Sequence, residues 1–384
     1  MTSATTSRRR FLGRGAQSLG FLAWMGSRPD RSFGASVAAQ AAAPQPESAA
    51  KLIERGIAFL RPRQDAKGGW STQREPGVTA LVVTALLRSG QVTPEDPAVT
   101  RALAYLEGFI GPNGGLSEAP HANYTTSIAL VAFQEANRNG RYDRTIKAAQ
   151  NFLKTMQWDE TEGKAREDAF YGGAGYGGRN SRPDLSNTAF LIEALRDTGL
   201  PADDPNLKKA LVFVSRCQNL RSEFNDQSWA AKVNDGGFIY TPANGGESMA
   251  GKTADGGLRS YASMTYAGLK SMIYAGLDRN DPRVKAALTY ITQHYTLDEN
   301  PGLGQQGLYY YYHTFAKTMA VLGEPTLTDA AGTAHDWRAE LIAALAKRQH
   351  DDGSWVNPAD RFMEGDPNLV TAYALLALAY TRKK

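Results

Sequence analysis

The chain has 384 residues, 42% hydrophobic and 21% charged, with a mean hydropathy of −0.41 and no apolar run long enough to span a bilayer. That leaves ample material for a buried core and excludes a polytopic membrane protein. A single cysteine, Cys217, excludes a disulfide scaffold or a multi-cysteine zinc site within one chain. The formal charge is +4, but residues 1–39 hold six arginines against one acid, Asp30, a surplus of five; the remainder is therefore −1, and nucleic-acid binding has no electrostatic basis there.

The N-terminus reads as an address. Ser7-Arg8-Arg9-Arg10-Phe11-Leu12 resembles a twin-arginine export motif, followed by a mildly apolar stretch from Phe11 to Met25 and by small-residue sites at Val37-Ala38-Ala39 and Ala41-Ala42-Ala43. The spacing predicts residues 1–43 as signal peptide and linker, with a mature start between Gln40 and Pro44, and residues 44–384 as one folded domain. An exported protein of this kind ends up periplasmic or otherwise outside the cytoplasm, either soluble or lying on a membrane face.

From about Ala49 onward a pattern recurs six times. Each copy opens with an amphipathic helix, seen in Leu52–Leu60, Val99–Phe109, Ile146–Met156, Leu207–Cys217, Val284–Thr292 and Trp337–Lys347. Three of these open with Asp-Pro, at Asp96-Pro97, Asp204-Pro205 and Asp281-Pro282. Asp accepts from the free N–H groups of the first turn, and Pro at the first helical position gives up only a donor that had no partner. A glutamine follows at Gln64, Gln157, Gln218 and Gln349. A glycine turn comes next, such as Gly68-Gly69-Trp70, Gly236-Gly237-Phe238 or Gly353-Ser354-Trp355. A second, more apolar helix then begins near one column of threonines: Thr79, Thr126, Thr188, Thr265, Thr314 and Thr371. A helix apolar on most faces is buried on most faces. The pattern predicts an all-α fold, a closed (α/α)6 toroid of six helical hairpins with an inner and an outer ring. The extra length in the third and fourth copies falls in the connections Asp159–Pro183 and Tyr240–Arg259, expected to form part of the wall of a cavity at one rim.

Gln64-x4-Gly69-Trp70 and Gln349-x3-Gly353-Ser354-Trp355 resemble the Q-W repeats of squalene–hopene cyclases, and residues 50–384 are similar to the toroid those cyclases share with protein prenyltransferase β subunits. The resemblance implies the fold more firmly than the reaction. Class II terpene cyclases carry D-x-D-D-T-A, with the central Asp as proton donor. Here the matching segment is Asp184-Leu185-Ser186-Asn187-Thr188-Ala189, and a serine cannot protonate an alkene. Asp184 or Ser186 serves either as a helix N-cap or as a pocket group. Tyr312-His313-Thr314 resembles the zinc-binding Y-H-T segment of the prenyltransferases, but no cysteine accompanies it, so a zinc–thiolate mechanism is not implied. A metal held by His313, His121 and Asp184 or Glu75 lacks any local ligand spacing. No metal or cofactor is expected.

Asp184, Tyr312 and His313 are therefore the candidate catalytic residues, and Tyr124, Asn187, Tyr261 and Tyr310 the candidate ligand-binding ones. They are expected to line one shared cavity because most lie close to the threonine column. Trp70 and Trp355 read as packing residues. Glu193, Lys270 and Lys317 are charges on otherwise apolar helices and need partners. The expected partner is an apolar small molecule such as an isoprenoid, bound or transformed in the centre. The alternatives are a toroid kept as a non-catalytic binding scaffold, or a carbohydrate-active (α/α)6 enzyme with paired carboxylates drawn from Glu75, Asp184 and Asp235.

Overall fold

The computed structural model describes residues 48–73, 76–116, 121–177 and 181–382; the segment read as a leader, residues 1–43, lies outside them. Outer helices α1 (Ala49–Leu60), α3 (Pro97–Glu107), α5 (Asp143–Lys154), α7 (Pro205–Arg216), α10 (Pro282–Gln293) and α12 (Trp337–Ala346) alternate with inner helices. The inner ones are α2 (Pro76–Arg88), α4 (Ala122–Ala136), α6 (Leu185–Asp197), α9 (Ala262–Tyr274), α11 (Leu308–Leu322) and α13 (Pro367–Thr381). A four-residue helix, α8 (Ala230–Val233), and a two-stranded hairpin, β1 (Leu327–Thr328) with β2 (Ala334–His335), sit in the connections.

Each inner helix packs on the next, α2 on α4, α4 on α6, α6 on α9, α9 on α11, α11 on α13, and α13 on α2 again, so the ring is closed. Burial follows the two rings: α13 is buried at every residue from Asn368 to Leu378, whereas α5 buries only the stripe Ile146, Ala149, Gln150, Phe152 and Leu153. The Asp-Pro starts cap as expected; Asp96, Asp204 and Asp281 each accept at 2.9 Å from the backbone N–H two residues on.

The recurring residues form a recurring clamp. Gln64 Nε2 donates to Gly68 O in its own turn and to Ala98 O at the start of the next outer helix, at 2.8 and 2.7 Å. Gln157 does the same toward Gly172 and Asn206, and Gln218 toward Gly236 and Arg283. Gln349 bonds Gly353 O and, across the closure, Leu52 O at 3.0 Å. At Gly172, with φ +81°, a Cβ would lie 1.8 Å from Lys209 O, so no other residue lets the turn lie against the neighbouring helix. Trp70 and Trp355 are buried, and their indole N–H groups bond Leu60 O and Leu345 O.

The threonine column belongs to the same device. Thr79, Thr126, Thr188, Thr265 and Thr371 accept from the backbone N–H of Trp70, Leu116, Ala174, Phe238 and Trp355, at 2.9 to 3.2 Å. Each stands fourth or fifth in its helix. Thr314 breaks the pattern: it is seventh in α11 and bonds back to Tyr310 O. The matching place in α11 is Tyr311, fourth in the helix, whose hydroxyl reaches back to Thr296 O in the preceding connection at 2.7 Å. The fifth copy is therefore displaced by three residues from the alignment on Thr314. The two ends of the ring meet beside one loop, where Gln91 Nε2 bonds Ala50 O at 3.0 Å and Arg382 bonds Ser89 O at 2.7 Å.

Candidate functional site: an aromatic cavity at the N-terminal rim

The N-terminal ends of the inner helices surround a cavity of about 550 Å³. That is within the range of about 300–1,000 Å³ common to small-molecule sites. Its wall is a continuous aromatic band. Tyr176 meets Tyr124 (centroids 6.0 Å), Tyr124 meets Phe190 edge-on (5.4 Å), Phe190 meets Tyr310 (6.2 Å), and Tyr310 meets Tyr373 (6.0 Å). Tyr240, Tyr261, Met249 and Met264 complete much of the remainder, so the two long connections do contribute wall, through Tyr176 from one and Tyr240 and Met249 from the other. Phe362 and Met363, on a short turn with φ +65° at both residues, stand exposed at the mouth.

Polar groups on the wall are few and mostly neutral. Ser186 Oγ and the Tyr310 hydroxyl lie 3.1 Å apart. Tyr310 is positioned through its backbone, since its N–H donates to the buried Glu364 at 2.8 Å. Glu364 thus serves the first turn of α11, whose own N-cap is Gly307; burial pushes this carboxyl up to about 7. His121 reaches the wall beside Tyr176, at 5.4 Å between rings.

The structure separates the seven candidate residues. Tyr124, Tyr261 and Tyr310 are on the wall. Asp184 and Asn187 are not: Asp184 caps α6, accepting from Asn187 N at 2.9 Å and from Asn187 Nδ2 at 2.8 Å. Burial raises Asp184 to about 6, against the opposing pull of those bonds and of the Tyr240 hydroxyl. Tyr312 points away from the axis and bonds Leu297 O, because two residues along a helix is about 200° of rotation from Tyr310. His313 faces the axis one turn deeper than Tyr310, below the cavity. The expectation of one cavity shared by Asp184 and His313 is thus replaced by two separate settings. His121 and His313 do not converge, and among the described residues no group of three or more His, Cys, Asp or Glu side chains is arranged to hold a metal.

Sequence reasoning left Ser186 open between cap and pocket, where it is a wall residue, and missed Phe190 and Tyr373. Phe190 and Tyr373 each stand two after their column threonine, and with Tyr311 taken as the α11 member His313 occupies the same place, stacked on Tyr373 at 5.6 Å. Position two after the column faces the axis, and an alignment on helix starts would have exposed it. Of the carboxylates considered for a sugar site, Asp184 lies behind the wall, Asp235 is engaged by Ser260 Oγ at 2.7 Å away from it, and Glu75 is outside the described residues.

Below the cavity the charged residues find their partners. Lys270 and Lys317 both bond Glu193, Lys317 also bonds Asp197 at 2.7 Å, and Arg88 bridges Asp197 (2.8 Å) and Glu135 (2.7 Å). Tyr380 reaches Arg88. All six inner helices supply a member, so this network closes the inner ring beneath the cavity. Burial would raise Glu193, but Lys270 and Lys317 hold it well below the ordinary carboxylate range.

No protein-family model matches the chain, and no curated protein matches it by sequence. Solved structures do match in shape. A type II terpene cyclase, MstE from Scytonema, aligns at a TM-score of 0.54 and 15% identity over 88% of this chain and 98% of its own. A family 76 glycoside hydrolase from a bovine Bacteroides thetaiotaomicron strain aligns at 0.55 and 12%, over 86% and 78%. A D-mannose isomerase aligns at 0.54 and 13%, over 87% and 96%. These define the class: the chain is an α/α toroid, a fold that carries terpene cyclisation, glycoside hydrolysis and sugar isomerisation in those three proteins.

Proposed function

We propose that the chain binds an apolar, isoprenoid-type small molecule in its central cavity. The observation that carries this reading is the wall itself: an aromatic and methionine surface on which, among the described residues, no carboxylate, lysine or arginine appears. A sugar site needs convergent charged or strongly hydrogen-bonding groups, and this wall offers mainly phenols, two serines, one asparagine and one histidine. The toroid neighbour MstE has been solved with geranylgeranyl dihydroxybenzoate as substrate, which supports the same class of ligand on this fold. Ser186 sits on the wall where the cyclase motif carries its acid, so the protein holds its ligand without that means of starting a cyclisation.

The test is a fluorescence titration of the purified protein with geranylgeraniol, squalene and mannose. Saturable isoprenoid binding, weakened about tenfold by Tyr310→Ala, supports the reading, because the lost aromatic contact is worth about 1–2 kcal/mol. Mannose binding, or no isoprenoid binding by folded protein, overturns it. We also propose, on the Arg8-Arg9 pair, that the protein works outside the cytoplasm. Arg8→Lys with Arg9→Lys should hold the precursor inside, and unchanged export would sink that proposal.

A further inference from the structure

Behind Phe190 lies a second, much smaller space of about 20 Å³. A cavity needs about 10–15 Å³ to hold one water, so this chamber is sized for a single oxygen atom. Phe190 lines both spaces and is the partition between them. The chamber is polar on one side, with Thr84, Ser127, Arg88, Glu193 and His313 facing Leu81, Ile128 and Leu376.

The hydrogen-bonding inventory of the chamber is specific. His313 is 3% exposed, and its Nδ1 is buried with no hydrogen-bond partner among the described residues. A buried polar atom left in that state is costly, and such atoms are rare in folded proteins. Thr84 and Ser127 donate their hydroxyl hydrogens to Ala80 O and Asn123 Oδ1, which leaves each oxygen able to accept. Both Glu193 oxygens are taken by lysines, and the three Arg88 contacts go to Glu135, Asp197 and Tyr380.

Resting on the reading of the large cavity as an isoprenoid site, we infer that the chamber is its terminal subsite: it receives the hydroxyl group of a prenyl alcohol, which passes the edge of Phe190 and bonds His313 Nδ1 while the chain fills the aromatic cavity. In the tautomer that carries its proton on Nδ1, the hydroxyl oxygen accepts from His313 and its single hydrogen goes to Thr84 or Ser127. A carbonyl oxygen has nothing to give those acceptors. A diphosphate is too large for the chamber and meets no surplus of positive charge, because Arg88, Lys270 and Lys317 are matched by Glu135, Glu193 and Asp197. The chamber therefore selects among isoprenoids by their end group.

The experiment compares farnesol with farnesene, the hydrocarbon of the same carbon skeleton that has lost the hydroxyl as water, in wild type, His313→Phe and Ser127→Ala. The quantity read is the farnesol-to-farnesene affinity ratio, in which differences in the solvation of the free ligands cancel between proteins. It should fall about tenfold in His313→Phe and severalfold in Ser127→Ala, the loss of one buried hydrogen bond in each case. Ser127→Ala removes a single oxygen and serves if His313→Phe does not fold. Farnesyl diphosphate should bind more weakly than farnesol. An unchanged ratio in the folded variants, with farnesene still bound, overturns the terminal subsite and leaves the cavity reading standing. Failure of wild type to bind farnesene or farnesol overturns both.

Discussion

Asp184 shows how far a single side chain can be read. Its type and place before Leu185 mark it as an N-cap, which it is, but not its isolation from water. With burial raising its carboxyl from 3.8 to about 6, the folded state holds the proton more tightly than the unfolded chain does. The associated stability is present in full below about pH 4 and is lost as pH rises through about 6, a difference of at most about 3 kcal/mol. Asp184→Asn keeps the cap and removes the charge, and Asn187 can turn its amide, whose Oδ1 has no partner among the described residues, to match. The variant should be more stable than wild type at pH 7 and lose that advantage near pH 4, as read from urea midpoints. Two residues on, Ser186 decides a different question. Its hydroxyl is on the cavity wall, paired with Tyr310, and cannot protonate an alkene. Purified protein incubated with squalene should yield no cyclic triterpene by mass spectrometry; any hopene would require another proton donor on the wall. The motif made Ser186 legible as a missing acid. It did not reveal that Asn187 folds back onto Asp184, since a side chain's choice between cap and cavity depends on the turn that precedes it.

At the scale of the element, the repeat was legible because its markers do chemistry. Glycine, glutamine and threonine recur where a turn is fastened to two helices at once, so spacing alone exposed six hairpins and the insertions. The same logic failed in α11, where Tyr311 takes the threonine's place and ties the helix to the preceding connection by donating to Thr296 O instead of accepting from a turn N–H, and Thr314 stands nearby as a decoy. That displacement is why Tyr312 was expected on the axis and His313 at the mouth. The clamp also ranks its glycines. Gly163 and Gly172 both have positive φ, at +73° and +81°, but among the described residues a Cβ on Gly163 meets nothing within 4 Å while one on Gly172 strikes Lys209 O. Gly163→Ala should cost only the backbone strain, about 1 kcal/mol, and Gly172→Ala more than about 3 kcal/mol, or fail to fold. Thermal melts of the two variants distinguish them, and equal losses would show that the turn can move away from its neighbour.

Across the whole molecule, the toroid is a tube with one end open and aromatic and the other closed by charge. No sequence pattern could show that Glu193, Lys270 and Lys317 meet, because they come from three helices and approach only when those helices pack side by side. Their value is conditional. Removing one partner strands the others in a dry interior, which costs about 3–5 kcal/mol, whereas replacing a whole group with apolar residues of similar volume is often neutral. Glu193→Ala should therefore lower the melting temperature sharply, and Glu193→Met combined with Lys270→Met and Lys317→Met should recover much of that loss. A triple variant no better than Glu193→Ala would mean that the network holds the helices in place and is not replaceable by packing.

Because the ring is closed, the chain can be opened at a new place. Its first and last helices are joined by contacts of the same kind as those between any neighbouring repeats, with Gln349 on Leu52 repeating what Gln64 does to Ala98. Both ends of the circuit lie beside the Ser89–Gln91 loop. Covalent order is thus incidental to this architecture. A circular permutant, with a short linker from Arg382 to Ser48 and new termini opened at Gly163, whose Cβ position meets none of the described residues within 4 Å, should fold to the same ring and keep the same cavity.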